Sequence, residues 1–136
     1  FSDSSAAAGG SSRLCLRVWL IHGHGYGWEE SWEIYNFANS VVKDGRALVR
    51  LERPVINEQN GRVSVQYKGE VAAAKVYFTT SNAAWKDRKW GEVPCRIDED
   101  ELVATQTVPR ETTAFNVATW DVDNNLINSE VVSRTP

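Results

Sequence analysis

After Gly45 the chain consists of short runs of alternating apolar and polar residues, and this pattern constrains the fold most strongly. A period of two places alternate side chains on one face, so each run predicts a half-buried β-strand. Turn residues separate the runs, and Asn60-Gly61 is a typical hairpin signal. Seven such strands in roughly 90 residues predict a mainly β fold, an immunoglobulin-like or fibronectin type III-like β-sandwich. The predicted strands are residues 47–52, 62–67, 74–80, 93–97, 102–107, 114–121 and 126–132.

The residues before this region predict a strand-loop-helix unit. Residues 14–21 are nearly all apolar, as expected of a strand covered on both faces. A glycine-rich loop follows, and residues 30–43 then have apolar side chains at spacings of three and four, which predicts an amphipathic helix. The chain is therefore divided into a flexible leader (1–13), the strand-loop-helix unit (14–45) and the sandwich (46–136).

The loop of this unit contains two histidines, His22 and His24. An imidazole suits general base catalysis because its ordinary pKa lies near neutral pH. In α/β-hydrolases the nucleophile, the acid and the histidine occur in that order, so the histidine follows the last strand and precedes the last helix. Residues 14–43 have this order of elements, which makes both histidines candidate catalytic residues.

Four segments carry a more specific resemblance: HGHGYGW (22–28), EIYNFANSVV (33–42), AKVYFTT (74–80) and WKDRKW (85–90). Together they resemble the C-terminal part of bacterial α/β-hydrolases of the acetyl-esterase/prolyl-oligopeptidase-like group, over most of the chain. The resemblance implies a last strand, a histidine loop and a last helix, followed by an appended Ig-like domain. It also implies that His24 matches the catalytic base, with His22 as second choice.

The chain departs from that group in its other catalytic residues. No Gly-x-Ser-x-Gly nucleophile motif is present, and Asp3 is the only acid upstream of His24. We therefore expect a non-catalytic accessory domain of an esterase-like protein, which contacts glycan. The alternative is a carboxylic (acetyl) esterase that uses His24 as general base with a nucleophile that this chain does not identify.

The segment from Trp85 to Trp90 is the candidate ligand-binding site. One interpretation is a packed loop in which Arg88 or Lys89 lies over an indole ring. The other is an aromatic platform, with Trp85, Trp90 and Arg88 contacting a polysaccharide or an acylated glycan. The run of four acidic residues from Asp98 is interpreted as a solubilising turn, because glycosidase carboxylates face each other across a cleft.

The net charge, the cysteine count and the strand pattern limit which partners and cofactors we expect. A net charge of −3 argues against non-specific binding to nucleic acid or to an anionic membrane. We expect no cofactor and no metal. Two cysteines, Cys15 and Cys95, leave open either free thiols or a single bridge. The unpaired edges of the strand at 14–21 predict a homo-oligomer through that strand. The resemblance implies a secreted or periplasmic protein.

Overall fold

The computed structural model describes Leu16, residues 32–42 and residues 46–134. The leader, most of the strand predicted at 14–21 and both histidines lie outside these residues. The oligomer predicted through that strand therefore stays a prediction. No helix among the described residues is long and apolar enough to cross a membrane.

The described residues form one α-helix and nine short β-strands, which confirms the mainly β prediction. Each predicted run overlaps at least one observed strand. The bounds differ by at most three residues, except for the last run, which is divided into two strands. The strand of only two residues after Pro54 was not predicted. The elements are α1 (Trp32–Val42), β1 (Arg50–Leu51), β2 (Val55–Ile56), β3 (Val63–Lys68), β4 (Ala73–Thr79), β5 (Gly91–Ile97), β6 (Glu101–Ala104), β7 (Ala114–Trp120), β8 (Leu126–Asn128) and β9 (Val132–Ser133).

All described strand pairs are antiparallel, in the order β1-β3-β6-β5-β4-β7-β8. The short strands β2 and β9 pair with β3 and β7. Strand β5 joins the two halves of the sheet, because its first part pairs with β4 and its second part, from Cys95, pairs with β6. The sheet folds over at this strand, and the result is a sandwich-like arrangement.

Alternate side chains of both halves meet in one apolar core. Val76 of β4 lies opposite Val117 of β7, and both are fully buried. Leu102 of β6 and Val65 of β3 form the equivalent pair in the other half. The core residues are Val63, Val65, Ala74, Val76, Val93, Leu102, Ala104, Val108, Phe115 and Val117.

The last predicted strand, 126–132, is divided into β8 and β9. Between them, the backbone N–H of Ser129 donates to the Val117 carbonyl at 2.8 Å. The Ser129 hydroxyl in turn accepts a hydrogen bond from the Val117 N–H at 2.9 Å. A side-chain oxygen thus replaces a backbone partner, and the regular ladder is interrupted there.

Helix α1 forms a polar contact with the sandwich. The Asn36 amide donates to the buried Asn125 side chain at 2.6 Å, and Ile34 and Val41 are both 55% exposed. Near this helix in sequence, the Leu16 N–H donates to Asn128 Oδ1 at 2.7 Å. Residues before the sandwich therefore have specific hydrogen bonds to the β7–β8 hairpin.

Candidate functional site

The loop between β4 and β5, residues 80–90, carries the predicted ligand-binding residues. Two hydrogen bonds between residues that are two apart in sequence turn the chain as it leaves β4. The Ser81 N–H donates to Thr79 Oγ1 at 3.2 Å, and the Ala83 N–H donates to Ser81 Oγ at 3.1 Å. The buried Thr113 hydroxyl donates to the Ser81 carbonyl at 2.8 Å, which attaches the loop to the residue directly before β7. The start of the loop is thus attached to the sandwich at defined atoms.

Gly91 allows the chain to return beneath an aromatic ring. It lies opposite Phe78 of β4, and a Cβ atom at this position would be 2.5 Å from Phe78 Cζ. A side chain at position 91 would therefore displace the Phe78 ring. This close approach brings Trp90 back beside the strand from which the loop departs.

A single turn of 3-10 helix, Trp85–Asp87, orients the functional side chains. The Asp87 N–H donates to the Ala84 carbonyl at 2.8 Å, and the Arg88 N–H bonds to the Trp85 carbonyl at 3.4 Å. This turn places residue 88 near residue 85 in space. The Arg88 Nε then donates to the Ala83 carbonyl at 2.9 Å, so backbone atoms of the same loop hold the guanidinium in position.

Trp85, Arg88 and Trp90 form one cluster. The indole centroids of Trp85 and Trp90 are 6.0 Å apart, and their planes differ by 15°, which is a stacked arrangement. The Arg88 Cζ atom lies 4.1 Å from the centroid of Trp85, within the range of a cation–π contact. Trp85 is nevertheless 52% exposed. Of the two cations considered from the sequence, Arg88 rather than Lys89 has a described contact with an indole.

The other candidate residues considered from the sequence are the two histidines and the acidic run from Asp98. His22 and His24 lie outside the described residues, so their proposed catalytic roles stay predictions. In the acidic run, Asp98 accepts two hydrogen bonds from the Arg96 guanidinium, at 2.8 and 2.7 Å. This contact holds the pKa of Asp98 below its usual range and raises the pKa of Arg96. The pair stabilises the β5–β6 turn, consistent with its interpretation as a turn.

Two contributors to the cluster were missed in the sequence. The Ala83 carbonyl is a backbone acceptor that no side-chain pattern can reveal. Gly91 lies two residues before the strand predicted at 93–97 but belongs to β5 in the structure, and a glycine within a strand often marks a close approach.

A shallow groove of about 440 Å³ lies elsewhere on the sandwich. Residues 56, 58–61, 107–110 and 134 line it, and it shares no residue with the Trp85 cluster. Arg134 donates to both carboxylate oxygens of Glu58 beside this groove, at 2.9 and 3.1 Å. Glu58 and Arg134 are thereby paired with each other, and Arg110 is the third charged residue of the lining. None of the described residues that line this groove is aromatic, and the Trp85 cluster is therefore the stronger candidate for a ligand that stacks on a ring.

Cys95 is a half-buried free thiol at the bend of β5. Burial raises the pKa of this thiol to about 11. At neutral pH we therefore expect Cys95 to react with iodoacetamide roughly tenfold more slowly in the native protein than in the unfolded chain. The higher pKa lowers the fraction of thiolate in the native state by more than it raises the nucleophilicity of that thiolate. Mass spectrometry of the Cys95 peptide, with and without urea, measures this ratio, and the native rate should rise as the pH approaches 11. Equal rates in both states at neutral pH would contradict the protected thiol.

No protein-family model, curated protein or solved structure matches this chain. Among the described residues, no group of three or more His, Cys, Asp and Glu side chains is placed to hold a metal ion. The candidate site therefore rests on its own geometry: an exposed indole, a stacked neighbour and a guanidinium over the ring.

Proposed function

We propose that this chain is a non-catalytic, Ig-like accessory domain of an esterase-like protein, and that it contacts glycan through Trp85, Trp90 and Arg88. The observation that carries the glycan contact is the stacked pair of indoles with one ring half exposed. The esterase-like origin is supported by the resemblance of residues 22–42 and of the sandwich segments to the acetyl-esterase group.

An exposed indole on an anchored loop is suited to a sugar ring. The apolar C–H groups of a pyranose pack against an aromatic face, and the large rigid ring loses little conformational freedom on binding. The loop is held by Thr113, and the second indole supports the first, so the platform is formed before a ligand arrives. Preorganisation of this kind lowers the entropic cost of binding.

Arg88 does not prevent this use of the ring. A cation–π contact at an exposed site contributes only about 0.5–1 kcal/mol. A ligand that contacts both the ring and the guanidinium can replace this contact. The cation–π contact is thus weak enough for the cluster to serve as a binding site.

Affinity gel electrophoresis with a panel of neutral and acidic polysaccharides tests the proposal. We expect at least one polysaccharide to retard the protein. We expect the double variant Trp85→Ala/Trp90→Ala, which removes both aromatic surfaces, to bind that polysaccharide at least tenfold more weakly. A tenfold loss of affinity corresponds to about 1.4 kcal/mol of binding free energy. The double variant Val55→Ala/Val122→Ala is the matched control, because it also removes two exposed apolar side chains, each 57% exposed. Migration of the wild type that no member of the panel alters would refute the glycan contact.

A further inference from the structure

The Trp85 cluster carries a concentration of positive charge. Residues 86–89 contain Lys86, Arg88 and Lys89 with one carboxylate, Asp87, in a chain whose net charge is −3. None of these three cations forms an ion pair with a described carboxylate. The cations that do form such pairs lie elsewhere and are Arg46, Arg53, Lys75, Arg96 and Arg134.

The guanidinium of Arg88 has one described hydrogen bond, and its remaining donors have no described acceptor. Its Nε donates to the Ala83 carbonyl, and its Cζ lies over the Trp85 ring. Among the described residues, no acceptor is bonded to its two terminal Nη groups. These groups form the fork that binds a carboxylate through two parallel hydrogen bonds. The carboxylate of Glu92, four residues further along the chain in β5, is bonded to Lys75 at 2.9 Å.

This arrangement favours a charged ligand over a neutral one. A neutral pyranose that stacks on the covered face of Trp85 must displace the guanidinium and offers it no charged partner. A sugar carboxylate can bind the Nη groups while Nε keeps its bond to Ala83 and the sugar ring contacts the indoles. Lys86 and Lys89 add to the positive potential that attracts an anion to this loop.

We propose that the ligand of the Trp85 cluster is an acidic polysaccharide, one whose uronate carboxylate binds the Arg88 guanidinium beside the Trp85–Trp90 stack. This inference rests on the proposed glycan contact and specifies its chemistry. Arg88 selects the carboxylate, and the two indoles contact the carbon skeleton of the same or the adjacent sugar.

The test compares each acidic polysaccharide with its own neutral form. Polygalacturonate, alginate and glucuronoxylan are used as probes, each beside the same polymer after chemical reduction of its carboxyl groups to alcohols. In affinity gels at physiological salt, we expect the wild type to bind at least one acidic form tenfold or more tightly than its reduced form. Arg88→Gln should lose this preference, and Arg88→Lys should restore it only in part, because an ammonium lacks the fork.

The matched control is Arg50→Gln, which removes an exposed cation that likewise has no described ion pair. It should leave the preference unchanged. Equal binding of acidic and reduced forms by the wild type would overturn the inference while leaving the glycan contact intact. Equal losses in Arg50→Gln and Arg88→Gln, or equally strong binding of polyglutamate, would also overturn it, since net charge alone would then explain the result. If no polymer, acidic or neutral, were retained, both proposals would fail.

Discussion

Replacing Asp121 with alanine is expected to lower the free energy of unfolding by about 3 kcal/mol, because it leaves buried donors without an acceptor. Asp121 is 5% exposed and follows directly after β7. Its Oδ1 accepts hydrogen bonds from the N–H groups of Asp123 and Asn125, both at 2.9 Å. Its Oδ2 accepts one from the Asn125 amide at 2.8 Å. The carboxylate thus organises the whole β7–β8 turn.

The loss of Asp121 should also reach helix α1. Asn125 is 2% exposed, and its Oδ1 accepts the hydrogen bond from Asn36 of the helix. Without the carboxylate, the Asn125 side chain loses the partner that fixes its orientation. We therefore expect faster hydrogen exchange in residues 32–42 of the variant, in addition to the lower stability.

Urea unfolding measures the first effect, and native-state hydrogen exchange measures the second. Asp123→Ala is the matched control: it removes a carboxylate two residues away that is 53% exposed and makes only a 3.5 Å contact with Arg46. That variant should change the free energy of unfolding by less than about 0.5 kcal/mol. If Asp121→Ala were as stable as Asp123→Ala, the carboxylate would not organise the turn.

The largest loss of stability is expected for Phe115→Ala, at about 4 kcal/mol. Phe115 is 2% exposed and is the largest fully buried side chain among the described residues. It lies opposite Phe78 of β4 on one side and Val132 of β9 on the other, so its ring joins three strands. Removing the ring leaves a cavity that the surrounding β-branched side chains cannot fill without moving the backbone.

Thermal and urea unfolding of the variant, read by circular dichroism, check this value. Ile97→Ala is a suitable control because Ile97 is also an apolar strand residue but is 39% exposed, and it should lose much less stability. Since domains of this size are stable by only about 5–15 kcal/mol, Phe115→Ala should be partly unfolded near 40 °C or below. An effect no larger than that of Ile97→Ala would contradict the assignment of Phe115 to the core.

The strands could be predicted because their signals are local. The alternation in residues 62–67 gave β3 to within one residue at each end. The Asn60-Gly61 turn has the positive φ of 65° that glycine adopts without strain. Gly69, at a φ of 112°, ends the next run for the same reason, and Val49 Cα lies only 3.2 Å from where its Cβ would be.

The features that could not be predicted depend on contacts between distant parts of the chain. The change of partner along β5 depends on which strands flank it. Pro94, which has no N–H to donate, is the last residue of β5 paired with β4, but a proline alone does not identify the next partner. The division of the last strand depends on the Ser129 hydroxyl meeting Val117. In α1, the apolar spacing predicted one buried face, whereas the described contact is made by Asn36, which a hydrophobic pattern counts as polar. At the candidate site, the sequence identified the two indoles and Arg88, but it did not identify the Ala83 carbonyl that orients the guanidinium.

The parallel indoles of Trp85 and Trp90 also give the loop an optical signature. The indole centroids are 6.0 Å apart, which is close enough for their excited states to couple. Such coupling gives a paired positive and negative band in the far-ultraviolet circular dichroism spectrum when the two transition dipoles are skewed to each other. The chain contains six tryptophans, and their ordinary fluorescence overlaps. A coupled band arises only from rings that are close and suitably oriented, and among the described residues Trp85 and Trp90 are the tryptophans with stacked rings. The stacking of Trp85 on Trp90, which makes the pair a candidate binding surface, can therefore be monitored by circular dichroism.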